Sequence, residues 1–266
     1  MAANKIEILY QDKDIIAVNK PAGLSVTHDR SGLDDLIKVL HKEINEEDLR
    51  IIHRLDKDTS GIMILAKNKE AQTHYCGLFE KSKVKKTYLA LVAGEPEGLT
   101  GEIDAPIAES KKDPRKMEVD AKNGKESKTI WELLANFGSV SLLAVRPQTG
   151  RTHQIRVHFS SIGMPLAIDP LYGANEPLML SSFKHGYRLS RHAEKEIPLI
   201  ERLTLCAYQL EAENLNLIAP LERKFKAAIK MLTKYNAKGT AAFVNDQNYQ
   251  KLLNSEPLLL NIPTTD

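Results

Sequence analysis

Short runs of strand-forming apolar residues recur along this chain, each closed by a polar turn, and no other feature constrains its fold as much. Ile6–Tyr10 and Ile15–Asn19 flank Asp12-Lys13-Asp14 and predict an opening hairpin. Ile51–Leu55 and Ile62–Ala66 predict two buried strands around the polar loop 56–61. Tyr88–Ala93 is a dense strand candidate. Ile130–Leu134 and Val140–Val145 predict a second hairpin about Asn136–Gly138, and Leu203–Leu210 predicts a late strand. Helical spacing falls between these runs. Leu33, Leu36, Ile37 and Leu40 follow Ser31 as a cap, and Ala71, Tyr75, Leu78 and Phe79 mark a helix near 69–81. Ile155, Phe159 and Ile162 predict a helix from Thr152 as cap to Gly163 as stop. Leu221, Phe225, Ile229 and Leu232 predict another near 221–235. Strands and helices do not alternate strictly, so the expected fold is α+β with a mainly antiparallel sheet rather than a doubly wound one.

Composition narrows the class. A hydrophobic fraction of 42% over 266 residues can bury a sizeable core, and 37 Lys plus Arg against 35 Asp plus Glu excludes a histone-like basic protein. Local basic surfaces remain compatible with that balance. The start, MAANKIEILYQDKD, has neither a basic nor an apolar stretch, so no secretory signal is expected, and no apolar run reaches membrane-spanning length. Cys76 and Cys206 form no CxxC pair, which fits a reducing cytoplasm.

Three polar constellations stand out. In His53-Arg54-Leu55-Asp56-Lys57-Asp58-Thr59-Ser60-Gly61, two cations flank Asp56 and would keep it ionised for attack or proton transfer. The same residues also suit a simple turn. In 146–158, Arg146, Arg151 and Arg156 with His153 and His158 surround a turn and a helix start. That arrangement suits an anion, or else a solvated helix face. The five-residue spacing of the two histidines fits a helical zinc site poorly, so no metal is expected. Lys81, Lys83, Lys85 and Lys86 precede Tyr88, and further basic loops lie at 111–128 and at 184–195, the latter with Lys184, Arg188, Arg191 and Lys195. Charge beside an aromatic ring suits RNA, or else a solvated loop. Cys206 has no local base and reads as a small core residue. No phosphate-loop or dinucleotide fingerprint is present, so no nucleotide cofactor is expected.

Taken in order, DIIAVNKPAGLSVT at 14–27, HRLDKDTSGIMILAKN at 53–68, KKTYLALVAGE at 85–95 and RPQTGRTHQIRVHFSSIGMPLAIDPLYG at 146–173 resemble the RluA-type pseudouridine synthases. The resemblance implies isomerisation of uridine in ribosomal or transfer RNA, a central active-site cleft, and neither cofactor nor metal. It implies Asp56 as the catalytic carboxylate and Tyr88 packed on the target base. Arg151 would pair with the carboxylate, and Arg54 would fill the space that a flipped base leaves. It further implies a mixed, mainly antiparallel central sheet with flanking helices, one catalytic domain over 1–235, a C-terminal tail over 236–266, and no separate N-terminal RNA-binding domain. A cytoplasmic monomer with no membrane attachment and no required protein partner is expected. Where relatives often read Leu-His-Ala, this chain reads Leu205-Cys206-Ala207. Segment 176–200 and the tail match no landmark and are candidates for substrate-specific contacts. The competing classes are a non-catalytic RNA-binding or ribosome-assembly protein on the same fold, and a metal-dependent hydrolase using His153 and His158.

Overall fold

The computed structural model describes residues 5–27, 34–44, 46, 48–189, 193–236 and 238–262. The chain forms two compact units, Met1–Thr87 with Cys206–Pro220, and Tyr88–Leu205 with Leu221–Asp266. Ser31, Leu33 and Arg191 lie outside the described residues.

In the first unit, β1 (Glu7–Gln11) and β2 (Ile15–Lys20) form the expected antiparallel hairpin. Asp12 closes its turn by accepting the N–H groups of Asp14 and Ile15 on one carboxylate oxygen, each at 2.8 Å. Helix α1 (Leu36–Ile44) buries Leu36 and Leu40. Asp35 is its cap, with the Lys38 N–H at 2.9 Å from Oδ1. Strand β3 holds only Arg50–Ile51, shorter than the run to Leu55 that the sequence predicts. β3 pairs antiparallel with β4 (Ser60–Ala66), with Ile51 opposite Leu65. The nearby Ile64 N–H goes to the His53 ring at 3.0 Å, so an imidazole stands where strand backbone would continue the ladder.

β4 is buried along its whole length, antiparallel to β2 on one side and parallel to β11 (Leu205–Ala212) on the other. β12 (Leu215–Ile218) runs antiparallel to β11. Helix α2 (Lys69–Glu80) starts where the Asn68 side chain accepts the Ala71 N–H at 2.8 Å. Its Ala71 and Leu78 meet Ile15, Ile62, Ile64 and Leu210 in one apolar core. Fully burying a side chain the size of Ile or Leu is worth about 1.5–3 kcal/mol, so this layer holds β4 firmly.

The second unit is an antiparallel array in the order β5 (Lys85–Ala93), β10 (Val140–Pro147), β9 (Lys128–Asn136), β6 (Thr100–Asp104). The polar stretch after Gly94 holds only β6 and the separate hairpin β7 (Ile107–Glu109) and β8 (Met117–Val119), in line with its composition. Helix α3 (Gln154–Ser161) packs Ile155 and Phe159 into a core with Trp131, Leu143 and Val145. The α+β reading, with a mixed and mostly antiparallel sheet, holds: the β4–β11 pairing is parallel and the other named strand pairs here are antiparallel.

Helix α4 (Arg223–Tyr235) matches its expected span. The tail carries α5 (Gln247–Asn254) and is built into the second unit. Buried Glu132 of β9 accepts the Asn261 N–H at 2.6 Å, the Asn261 side-chain amide at 3.0 Å and the Ile262 N–H at 2.9 Å. Among the described residues, no helix is long and apolar enough to cross a membrane.

Candidate active site

The Asp56 loop leaves β3 with alternating directions. Ile52 and Leu55 are buried, Arg54 between them is exposed, and Asp56 is half-buried. His53 stacks on Phe79 of α2, with ring centroids 4.4 Å apart and planes 19° from parallel. The Lys86 ammonium lies 5.9 Å from the centroid of the same Phe79 ring. Burial, with some help from the Lys86 charge, holds the His53 imidazole down to about 3, so it is a neutral acceptor for the Ile64 N–H. Burial also lowers the Lys86 ammonium. Lys86 is half-buried against Phe79, while Lys81 and Lys83 before it are exposed.

The far side of the loop rests on Lys20, which is fully buried. Its ammonium donates to the carbonyls of Pro21 at 3.0 Å, Leu24 at 2.8 Å and Lys57 at 2.9 Å. The Lys57 carbonyl also accepts the Gly23 N–H at 2.9 Å, and the Thr59 N–H closes a turn on the Asp56 carbonyl at 3.2 Å. The peptide after Asp56 is thus pinned by a buried cation. The loop's exit is fixed at Gly61. This residue sits at φ +109°, and a Cβ there would fall 2.1 Å from the Ala207 carbonyl oxygen. Only glycine permits that parallel contact. Cys206, opposite Ser60, is buried, as expected for a core residue.

In the second unit, Tyr88 is half-buried on β5 opposite Val145, and its ring packs against the apolar core. Arg151 is exposed in the turn between β10 and α3, where its Nε donates to the Glu126 carbonyl at 3.0 Å. The organiser of this turn is buried Gln154. Its oxygen accepts from the Thr149 hydroxyl at 2.7 Å and the Arg151 N–H at 3.0 Å. Its amide donates to the Lys128 carbonyl at 2.9 Å and the Thr129 hydroxyl at 3.0 Å. The expected Thr152 cap is absent. His153 occupies the N-cap in the left-handed region at φ 55°, with no side-chain capping bond.

The anion-site reading of 146–158 is narrowed by these contacts. Arg156 is buried and grips Asp169 with two bonds of 2.8 Å. Arg146 donates to the Ile262 carbonyl at 3.1 Å. His153 Nδ1 meets the Tyr172 hydroxyl at 2.8 Å, and that hydroxyl accepts the Met117 N–H at 2.7 Å. His158 is fully buried between the Thr129 hydroxyl and the Ala105 carbonyl, both at 2.9 Å. A carbonyl only accepts, so His158 carries a hydrogen on Nε2. Burial lowers its pKa, which favours the neutral ring. Of the three arginines, Arg151 alone is exposed. Neither histidine is arranged as a metal ligand, and among the described residues no group of three or more His, Cys, Asp or Glu could hold a metal ion.

Sequence reasoning missed Lys20, His53 and Gln154 as the groups that hold these two loops. Lys20 continues the inward face of Ile16 and Val18, so period-two alternation carried the signal for it.

Comparison with known proteins identifies the family. The family described as RNA pseudouridylate synthase matches residues 14–161, and this chain belongs to that family. The ribosomal large subunit pseudouridine synthase D of Borreliella burgdorferi is 39% identical over 207 residues, 72% of this chain and 64% of the relative. The protein of the same name from Nitrosomonas europaea is 41% identical over 178 residues, 65% of this chain and 51% of the relative. The chain therefore spans about half to two thirds of these relatives' length. Among solved structures, human RNA Pseudouridylate Synthase Domain Containing 4 matches with a TM-score of 0.67 and 31% identity, over 85% of this chain and 92% of that one.

Proposed function

We propose that this protein isomerises uridine to pseudouridine in RNA, with ribosomal RNA favoured by the names of the relatives and transfer RNA the second choice. The observation that carries this reading is the family match over 14–161, which includes the anchored Asp56 loop. In the reaction the bond between the ribose and N1 of uracil breaks, the base turns, a carbon–carbon bond forms at C5, the C5 proton is lost and N1 takes up a proton. No oxidant and no cofactor enter that balance.

Asp56 is assigned as the catalytic carboxylate, acting at the sugar or the base of the target nucleotide. Arg151 is the cation assigned to that carboxylate, Tyr88 the ring for the target base, and Arg54 the group that replaces the extruded base. Extrusion costs a few kcal/mol, which stacking and a cationic plug offset. The protein is proposed to act as a cytoplasmic monomer, with residues 1–235 serving as the catalytic domain.

The test follows tritium release from C5 of labelled uridine in unmodified total RNA. Asp56→Asn should abolish release, at least about 1000-fold, while RNA affinity and the denaturation midpoint stay near wild type. Asp58→Asn, in the same loop, should keep most activity. Persisting release in Asp56→Asn overturns the assignment. Tight RNA binding without release by the wild type would point to a non-catalytic binder on this fold.

A further inference from the structure

Helix α4 reads Arg-Lys-Phe-Lys-Ala-Ala-Ile-Lys-Met-Leu-Thr-Lys-Tyr over 223–235, with five cations and no acid. Its inner face, Phe225, Ala228, Ile229 and Leu232, is buried in the second unit. Two of its cations are already used: Lys224 pairs with Glu201, and Lys226 donates to the Leu253 carbonyl. Arg223, Lys230 and Lys234 are exposed, and Lys238 continues the row. Arg223 to Lys234 covers about 16 Å of helix at 1.5 Å per residue.

The 184–188 segment extends this surface. The Lys184 ammonium lies 4.9 Å from the centroid of the Tyr235 ring, and the Lys234 ammonium lies 5.2 Å from it. Tyr235 thus ties the 184–188 segment to the end of α4, and that segment adds exposed His185 and Arg188. Neither 184–188 nor 223–238 contains Asp or Glu. The flanking Glu222 is paired with Arg202. In a chain of formal net charge +2, so many cations on one face are a concentration.

We propose that the exposed cations of α4 and of the 184–188 loop form a phosphate-binding surface for RNA flanking the target uridine. The proposal rests on the RNA-substrate reading above and extends it beyond the matched residues 14–161. The apolar face of α4 is spent in the core, so the helix has nothing to insert into a lipid surface. The ring at this surface already carries two ammonium groups, so the contact is with phosphates rather than by base stacking. Such contacts position an RNA without reading its sequence.

The test uses the full chain with Arg223→Gln, Lys230→Gln and Lys234→Gln combined. A charge-matched control replaces exposed Lys5, Lys13 and Lys42 with Gln. Binding of a random-sequence RNA duplex is measured across salt concentrations. Losing three phosphate contacts should flatten the slope of log K against log salt by about 2 to 3. Affinity should fall on the order of 10-fold to 100-fold in the α4 variant and little in the control. With labelled total RNA, KM should rise in the α4 variant while kcat at saturation stays the same. An unchanged slope and KM would overturn the proposal, as would equal losses in the control. Lost binding to phosphatidylserine vesicles with RNA binding intact would overturn it too. If the wild type releases no tritium from any RNA, the isomerase reading fails, and the duplex titration still decides this surface.

Discussion

The loop around Asp56 is held by a buried ammonium, whereas the turn around Arg151 is held by a neutral amide. Lys20 gathers three carbonyls beneath the first. Gln154 makes four bonds beneath the second, as donor and acceptor alike. The difference follows from what each loop offers. Around Lys57 the inward groups are carbonyls, which need a pure donor with several hydrogens. Around Arg151 they are a mixture, and an amide serves both kinds. In each case an exposed or half-exposed ionic group, Asp56 or Arg151, stands on a foundation whose own polar atoms are satisfied, so it can be set without strain elsewhere.

Removing the foundations should separate the two. Lys20→Met keeps the stem but leaves three carbonyls without their shared donor, and it should cost about 3–5 kcal/mol in urea unfolding. Gln154→Leu removes neutral bonds only and should cost about 2–3 kcal/mol. Equal losses would break the contrast between charged and neutral anchoring.

The second expectation concerns acid. His53 belongs to the first loop's support and is held down to about 3, well below the ordinary histidine value. The unfolded chain therefore binds a proton between about pH 6.5 and pH 3 that the folded chain refuses. The stability from a neutral His53 is present above pH 6.5 and drains as pH falls toward 3, at up to about 1.4 kcal/mol per pH unit. His53→Gln should flatten that decline in unfolding titrations run from pH 7 to pH 4. Parallel curves for the two proteins would show that His53 does not titrate in this way. His158, lowered by burial in the second unit, should leave a residual acid sensitivity in the variant.

The smallest effect on stability is expected at Arg151. It is exposed and gives one side-chain bond to the Glu126 carbonyl, so Arg151→Ala should move stability by less than about 0.5 kcal/mol. Turnover should fall far more than RNA affinity, and Arg151→Lys should rescue poorly because a point charge does not reproduce a guanidinium fork. A large loss of stability would mean that Arg151 belongs to the foundation rather than to the site.

Much of the architecture was legible from residue order. Local propensity and period located the opening hairpin, α2, β5, the β9–β10 pair and α4, because each is a contiguous pattern whose burial follows from its own sequence. The motifs also led to Asp56, Tyr88, Arg151 and Arg54, but they could not sort the neighbours of these residues. Arg146, Arg156, His153 and His158 carry the same charges and donors as a binding residue. Only the chain folded in three dimensions brings Ile262, Asp169, Tyr172 and Ala105 to them and turns them into structure. The early end of β3 was equally hidden, since it depends on a histidine meeting a backbone N–H eleven residues away. The sequence by itself determined most of the strand and helix segments and which loops carry charge, because those follow from period and composition. The tertiary structure decided which charges face inward, because burial and hydrogen-bond satisfaction depend on partners that are distant in the chain.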